Sequence, residues 1–243
     1  MKQKTIKTLK GIVDTYEEVI KVMDYDAKRA LQEDRRAYGG FVRAAKGKIQ
    51  EYITEQLILS AWRDELSQSI EKITINSDKI RIPIKKQYID ILKEKKVQDY
   101  ILKHIEKYFY GLSVDKHIFV NGKLILGIEC KAYTENAMIK RILVDFYLLK
   151  TKFPDLKCYL FQLESQLGGN YSKLIDEPPY GSYPTHSIMS YFDNVELKIV
   201  TLLKGERKVD APINKPEHFK PLEIDNLCVA LNSLLVDLQG AIK

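Results

Sequence analysis

Residues 113 to 133 constrain the fold more than any other stretch of the chain. They read Ser-Val-Asp-Lys-His-Ile-Phe-Val-Asn-Gly-Lys-Leu-Ile-Leu-Gly-Ile-Glu-Cys-Lys-Ala-Tyr. Two apolar runs flank Asn121-Gly122, a pair that tolerates left-handed backbone, so a β-hairpin is expected. Side chains alternate faces along a strand. Glu129 and Lys131 therefore project together, and Leu124, Leu126, Ile128 and Cys130 form the opposite, buried row. Charges on a strand this apolar need partners, because burying an unpaired charge is costly.

The register of the hairpin decides where Asp115 points. A strict two-residue turn pairs Val120 with Lys123 and Asp115 with Ile128. Asp115 would then face away from Glu129 and Lys131, since a one-residue slip flips every side chain. A three-residue loop or a bulge pairs Asp115 with Glu129 instead. We expect one of these two departures.

An acid, a short hairpin and Glu-x-Lys together resemble the catalytic signature of the PD-(D/E)xK nuclease superfamily. The pattern maps onto Asp115, Glu129 and Lys131, with Val114 where the family usually has proline. The resemblance covers residues 105–164. It implies a mixed α/β (α+β) sheet with a restriction-endonuclease-like αβββαβ core. It also implies Mg²⁺ held by Asp115, Glu129 and the backbone carbonyl of Cys130, hard oxygen donors suited to that ion. The ion would polarise a phosphodiester and lower the pKa of its water. Lys131 would position or activate that water and offset developing charge. Two carboxylates about 4 Å apart repel by roughly 4 kcal/mol at an effective dielectric of 20, which calls for a cation. Many members place a helical Glu beside the metal in a Gly-x-x-x-Glu setting. Gly47-Lys48-Ile49-Gln50-Glu51 matches it and nominates Glu51; the alternative is a solvated helix face.

Other Glu-x-Lys triplets occur at Glu94, Glu196 and Glu206, and a literal Pro-Asp at Pro154-Asp155. None has the hairpin context. Glu94 lies in a charged helical stretch, and Glu206 has no acid-bearing strand before it. Asp193 is too close to Glu196 to leave room for a hairpin. Asp155 is followed by Asp155-Leu156-Lys157 but by no Glu-x-Lys.

Composition narrows the setting. A chain of 243 residues can bury a substantial core. A net charge of +6 permits a phosphate-binding face without demanding one. Cys130, Cys158 and Cys228 are odd in number and lack zinc spacing, so they read as buried thiols in a reducing compartment. No run approaches a membrane span. A cytoplasmic protein is expected.

Read in order, residues 15–38 predict a helix with a Thr15/Glu18 capping box and a stripe of Val19, Met23, Ala27 and Ala30. Gly39-Gly40 reads as the break. A second helix over 41–67 carries Ile49, Ile53, Leu57 and Ala61 inward, with Glu51, Glu55 and Trp62 on its other face. Residues 70–84 alternate around Asn76-Ser77-Asp78 and predict a second hairpin, with Pro83 at an edge or a strand end. Residues 86–109 read as a lysine-rich helix whose Lys85–Lys107 face is either solvated or a phosphate-binding wall. Thr134 is expected to cap a helix over 135–151 with Met138, Ile142, Phe146 and Leu149 inside. A strand follows over 157–163. Residues 165–191 are rich in Gly, Pro, Ser, Asn and Tyr, as functional loops often are. Another strand spans 195–203, and a helix runs from Leu222 to Gln239, stopped by Gly240.

The expected organisation is a single domain over 1–243. Residues 1–110 form a mainly helical part, 111–164 the catalytic core, and 165–243 a DNA-recognition loop and C-terminal helix. Candidate DNA contacts are Lys140 and Arg141 on the helix, and Gln166, Asn170, Tyr171, Ser182, Tyr183, His186 and Ser187 in the loop. Surface roles remain open for each. The resemblance favours a site-specific double-stranded DNA endonuclease of type II restriction type. A homodimer would match a palindromic site, and a cognate DNA methyltransferase would act on the same sequence. The alternatives are a structure-directed or repair nuclease and a non-catalytic DNA-binding protein.

Overall fold

The structure, a computed structural model, describes residues 1–32, 38–169, 171–172, 181–207 and 220–242, without the side chains of 27, 30–32 and 38–44. A five-stranded mixed sheet lies at its centre, in the order β1 (Ile73–Asn76), β4 (Lys116–Val120), β5 (Lys123–Glu135), β6 (Lys157–Gln166) and β7 (Leu197–Thr201). The first three strands are antiparallel and the last three parallel. α5 (Asn136–Lys152) makes the crossover from β5 to β6. This is a mixed α/β fold. With α2 (Tyr38–Leu59) before β1, the order α2, β1, β4, β5, α5, β6 reproduces the expected αβββαβ core.

Two apolar clusters flank the sheet. One joins α1 (Gln3–Gln32), α2 and α7 (Ile224–Gly240) through Leu9, Tyr16, Ile53, Leu57, Leu231 and Leu234 to Ile118, Leu126, Ile128 and Phe161. The other joins Ile142, Leu143 and Phe146 of α5 to Val114, Leu124 and Leu160. Gly127 lies beneath α5. A Cβ there would come within 2.9 Å of Phe146 Cε1, so only glycine lets the helix sit this close to the strand.

Several sequence-based expectations need correction. α1 begins at Gln3, and Thr15 sits inside it with its hydroxyl donating to the Gly11 carbonyl at 2.8 Å, so it caps nothing. Leu9, Ile12 and Tyr16 extend the buried stripe toward the start of the chain. Gly39-Gly40 lies in the first turn of α2. α2 continues into a π-helical turn over Ser60–Glu65, where Trp62 is buried and its indole N–H donates to the Ser69 carbonyl at 2.8 Å. The wider π turn rotates Trp62 off the polar face assigned to it.

Residues 70–84 are not a hairpin. Asn76 Oδ1 accepts from the Asp78 N–H at 3.3 Å, a local contact of the expected kind. However, β1 pairs with β4, whereas β2 (Ile80–Pro83) pairs with β3 (Phe109–Leu112) in a separate two-stranded sheet. Pro83 ends β2, as its missing N–H requires. The lysine-rich segment breaks into α3 (Lys86–Asp90), α4 (Lys95–Lys103) and a 3₁₀ turn over Ile105–Lys107. Thr134 belongs to β5, and Glu135 precedes α5 without a side-chain cap. Within the segment 165–191, β6 reaches Gln166 and α6 spans Tyr183–Met189. No helix among the described residues is long and apolar enough to cross a membrane.

Candidate active site

The β4–β5 hairpin turns at Asn121 and Gly122, whose φ angles of 49° and 77° are those of the tight, left-handed hairpin turn. The loop therefore has two residues, and the expected departure is a bulge. Phe119 pairs with Leu124 and Ile118 with Leu126, leaving Ile125 without a partner. The bulge separates the two halves of the predicted apolar row. Leu124 packs in the α5 cluster, while Leu126, Ile128 and Cys130 pack in the other. Lys116 pairs with Ile128, so Asp115 arrives opposite Glu129, as the bulged register requires.

Asp115, Glu129 and Lys131 meet. Asp115 Oδ2 accepts from the Cys130 N–H at 2.7 Å and from Lys131 Nζ at 3.3 Å. Lys131 Nζ also pairs with Glu129 Oε1 and donates to the Cys130 carbonyl at 3.2 Å. One ammonium thus sits among three oxygens, from two carboxylates and one carbonyl. Side-chain exposures of 31% for Asp115, 15% for Glu129 and 31% for Lys131 leave the group open to solvent on one side. Burial and the neighbouring Asp115 charge push the Glu129 carboxyl above the usual range. Burial opposes the charge on Lys131, but Glu129 and Asp115 together outweigh it and hold the amine above its usual value. The Cys130 thiol is pushed up to about 12, chiefly by burial. At neutral pH this residue offers its carbonyl and not a thiolate.

These donors fit a hard divalent cation. The oxygens of Asp115, Glu129 and Cys130 already converge on a single positive centre, the Lys131 ammonium. Among the described residues no cluster of three metal-ligating side chains occurs. The third oxygen at this point is a backbone carbonyl, that of Cys130.

α2 closes the site from one side. Lys116 Nζ pairs with Glu55 Oε2 at 2.6 Å, and the Cys130 thiol donates to Thr54 Oγ1 at 3.5 Å. Glu51 lies one helical turn before Glu55, and its charge helps to raise the Cys130 thiol. Asp145 of α5 approaches from the other cluster. It adds to the negative field at Glu129, and burial raises its own carboxyl despite Arg141 and Lys131. Sequence reading missed Asp145, because its four-residue spacing from Arg141 reads as an ordinary helix-surface pair; that pair forms at 3.8 Å.

The other nominated residues are spread out. Lys140 and Arg141 are exposed on the first half of α5. Ser182 precedes α6, and its hydroxyl accepts from the Thr185 N–H at 3.2 Å and from Asn136 Nδ2 at 3.3 Å. Thr185 Oγ1 donates to the Leu167 carbonyl at 2.8 Å, tying α6 to the end of β6. From this anchored helix Tyr183 projects 94% exposed, with His186 and Ser187 also at the surface. Tyr171 is half-buried against the α5 cluster. Gln166 ends β6 and accepts from Arg207 at 3.3 Å. Asn170 lies outside the described residues. Asp155 is an exposed turn residue facing Lys123 at 3.6 Å. Glu206 accepts from the Gly168 N–H at 2.8 Å.

No family model matches the chain, and no solved structure matches it. A curated protein does. The type II restriction enzyme DdeI of Desulfomicrobium norvegicum is 59% identical over 234 residues, which span 96% of this chain and 97% of the relative. At that identity and coverage, the chain belongs to the type II restriction enzymes, the site-specific endonucleases of double-stranded DNA.

Proposed function

We propose that Asp115, Glu129 and Lys131 are the cleavage centre and that it is of the PD-(D/E)xK type. The observation that carries this reading is the convergence of two carboxylates and the Cys130 carbonyl on one cationic point at a bulged hairpin. Asp115, Glu129 and the carbonyl of Cys130 would hold Mg²⁺. When bound, the ion supplies Lewis-acid polarisation of the phosphate and a water of lowered pKa. In the metal-free protein both carboxylates favour the ammonium form of Lys131. Lys131 would position or activate the attacking water and offset charge on the phosphate oxygens. The Cys130 N–H fixes the rotamer of Asp115. Glu51 supports the centre from α2, held in place by the neighbouring Glu55–Lys116 pair.

Lys140 and Arg141 on α5, Tyr171, Ser182, Tyr183, His186 and Ser187 around α6, and Asn170 are the proposed DNA contacts. Tyr183, His186 and Ser187 suit base edges because a braced helix presents them to solvent. Ser182 and Tyr171 shape that helix and its approach. The working unit is a homodimer, one centre per strand of a palindromic site. Its setting is the cytoplasm, and its partner there is a DNA methyltransferase that modifies the same sequence.

Plasmid cleavage with Mg²⁺, followed by sequencing of the ends, tests the reading together with Mg²⁺ titration calorimetry. Discrete ends and a metal-binding heat that vanishes in both Asp115→Asn and Glu129→Gln are expected. An undiminished heat in either variant would remove that carboxylate from the metal site.

A further inference from the structure

Residues 80–112 form an insertion between the first two strands of the core sheet, built from β2, α3, α4 and β3. They carry eight lysines and arginines against four acids, a net of +4 where the whole chain has +6. Their surface is unusually apolar as well as basic. Tyr88, Tyr110 and Phe109 are 52%, 59% and 44% exposed, and Ile91 is 75% exposed. These rings lie along an open cavity of about 1070 Å³ between the insertion and the second half of α5.

The cations at the cavity are Arg81, Lys85, Lys107 and Lys152, against a single acid, Glu106. Arg81 is fixed, with its guanidinium 3.8 Å from the Phe109 ring centre and donating to the Glu106 carbonyl at 2.5 Å. Among the described residues, Lys85, Lys107 and Lys152 make no ion pair with a carboxylate, and all three are exposed. The cavity is also close to the proposed centre. Leu148 and Lys152, which line it, stand three and seven residues beyond Asp145 on α5. At 1.5 Å per residue these offsets are about 5 and 10 Å along the helix. β3 ends at Leu112, three residues before Asp115.

We propose that this insertion is a DNA-flank clamp. Its cavity receives the sugar-phosphate backbone of duplex DNA outside the bases being cut, with Lys85, Lys107 and Lys152 on phosphates and the rings against sugars. Unpaired cations beside apolar rings match a polyanion whose counterions are released on binding. A second copy is a poorer occupant. A two-fold contact places the same patch on itself, setting +4 against +4. The inference goes beyond the assignment of the cleavage triad, and its test does not need cleavage.

The test measures binding in EDTA as a function of salt for a duplex of about 40 base pairs carrying the cleaved sequence, and for a duplex trimmed to that sequence. The triple variant Lys85→Gln, Lys107→Gln, Lys152→Gln keeps the aliphatic stems. A matched control removes three exposed lysines from α1, as Lys7→Gln, Lys10→Gln, Lys21→Gln. On the long duplex, the cavity variant should flatten the plot of log affinity against log salt by about 2–3, at close to one per lost phosphate contact. The control should change it by less than about 1, and the two proteins should bind the trimmed duplex alike. Equal slopes for the two triples on the long duplex would overturn the clamp. So would an unchanged slope in Ile91→Ser accompanied by a fall in sedimentation mass, which would assign the surface to a second copy. Single Lys107→Glu, checked by an unchanged melt, guards against a folding artefact and should weaken long-duplex binding by itself.

Discussion

Two buried acids in this protein have opposite fates. Asp64, in the π turn after α2, has a fully buried side chain but faces two cations. Arg63 Nε lies at 2.7 Å and Lys4 Nζ at 3.0 Å. The Arg63 hydrogen bond, aided by Lys4, holds its carboxyl down at about 2. Glu129 is nearly as buried but shares one cation, Lys131, with a second acid, and its carboxyl is pushed up. At Glu129 burial, reinforced by Asp115, outweighs the one shared cation; at Asp64 the Arg63 hydrogen bond, aided by Lys4, outweighs burial. An acid with surplus cations braces the fold, here pinning α1 to the end of α2. An acid that must share its cation leaves negative charge over, and a divalent ion would remove that excess.

The largest expected effect breaks the second arrangement. Asp115→Asn or Glu129→Gln should reduce plasmid cleavage to background, a loss of at least about 10²-fold, while the metal-free protein melts no lower than wild type at pH 7. The sign follows from linkage. Glu129 has a folded pKa above its unfolded one, so its stabilising contribution is present in acid and lost as pH rises through the folded value. A marked destabilisation of metal-free Glu129→Gln at pH 7 would mean that the pair is a structural brace.

Lys131→Ala should also abolish cleavage, yet in EDTA it should bind DNA more weakly than wild type. Asp115→Asn should bind as well or better, because it removes a negative charge facing phosphate. Filter binding of the two variants side by side separates these expectations, and weaker binding by Asp115→Asn would reverse the assigned charges.

Asp64→Asn probes the first arrangement. It should lower stability by about 2 kcal/mol at pH 7 with cleavage intact at permissive temperature. Its folded pKa is depressed, so this contribution holds above the ordinary aspartate range near pH 4 and fades as pH falls toward 2. Denaturation at stepped pH should show the gap between variant and wild type closing over that window. A constant gap would point to lost packing instead of charge.

Glu51→Ala should cut activity and raise the Mg²⁺ requirement by a smaller factor, without changing the melt. A normal metal titration would return Glu51 to a solvated helix face. At the small end stand Asp155→Asn and Glu196→Gln, which should cleave like wild type, because both acids are exposed and lie outside the hairpin. Loss of activity in Asp155→Asn with a normal melt would show that the acid was wrongly chosen.

The hairpin was legible because its turn, its strand period and its three charges lie within twenty-one consecutive residues. The need for a bulge was legible too, since a strict register turned Asp115 away. Its position at Ile125 was not, because every residue from Leu124 to Leu126 is apolar and fits either cluster. The segment 70–84 failed for a related reason. No turn or bend forms at 77–79, and each strand found a better partner elsewhere, β1 on β4 and β2 on β3. Trp62 was assigned to the polar face because a regular helix was assumed through a π turn.

What the chain alone determined is therefore local: where strands and helices lie, and which acids and lysine share a strand face. Those properties follow from backbone sterics and side-chain period, which act between near neighbours. Tertiary packing decided the rest. It brought the Asp145 charge within electrostatic reach of Glu129 and the Glu51 charge within reach of Cys130, and it opened a basic cavity between the insertion and α5. Such meetings depend on how helices dock on the two faces of the sheet, and contacts across long loops leave no period in the sequence.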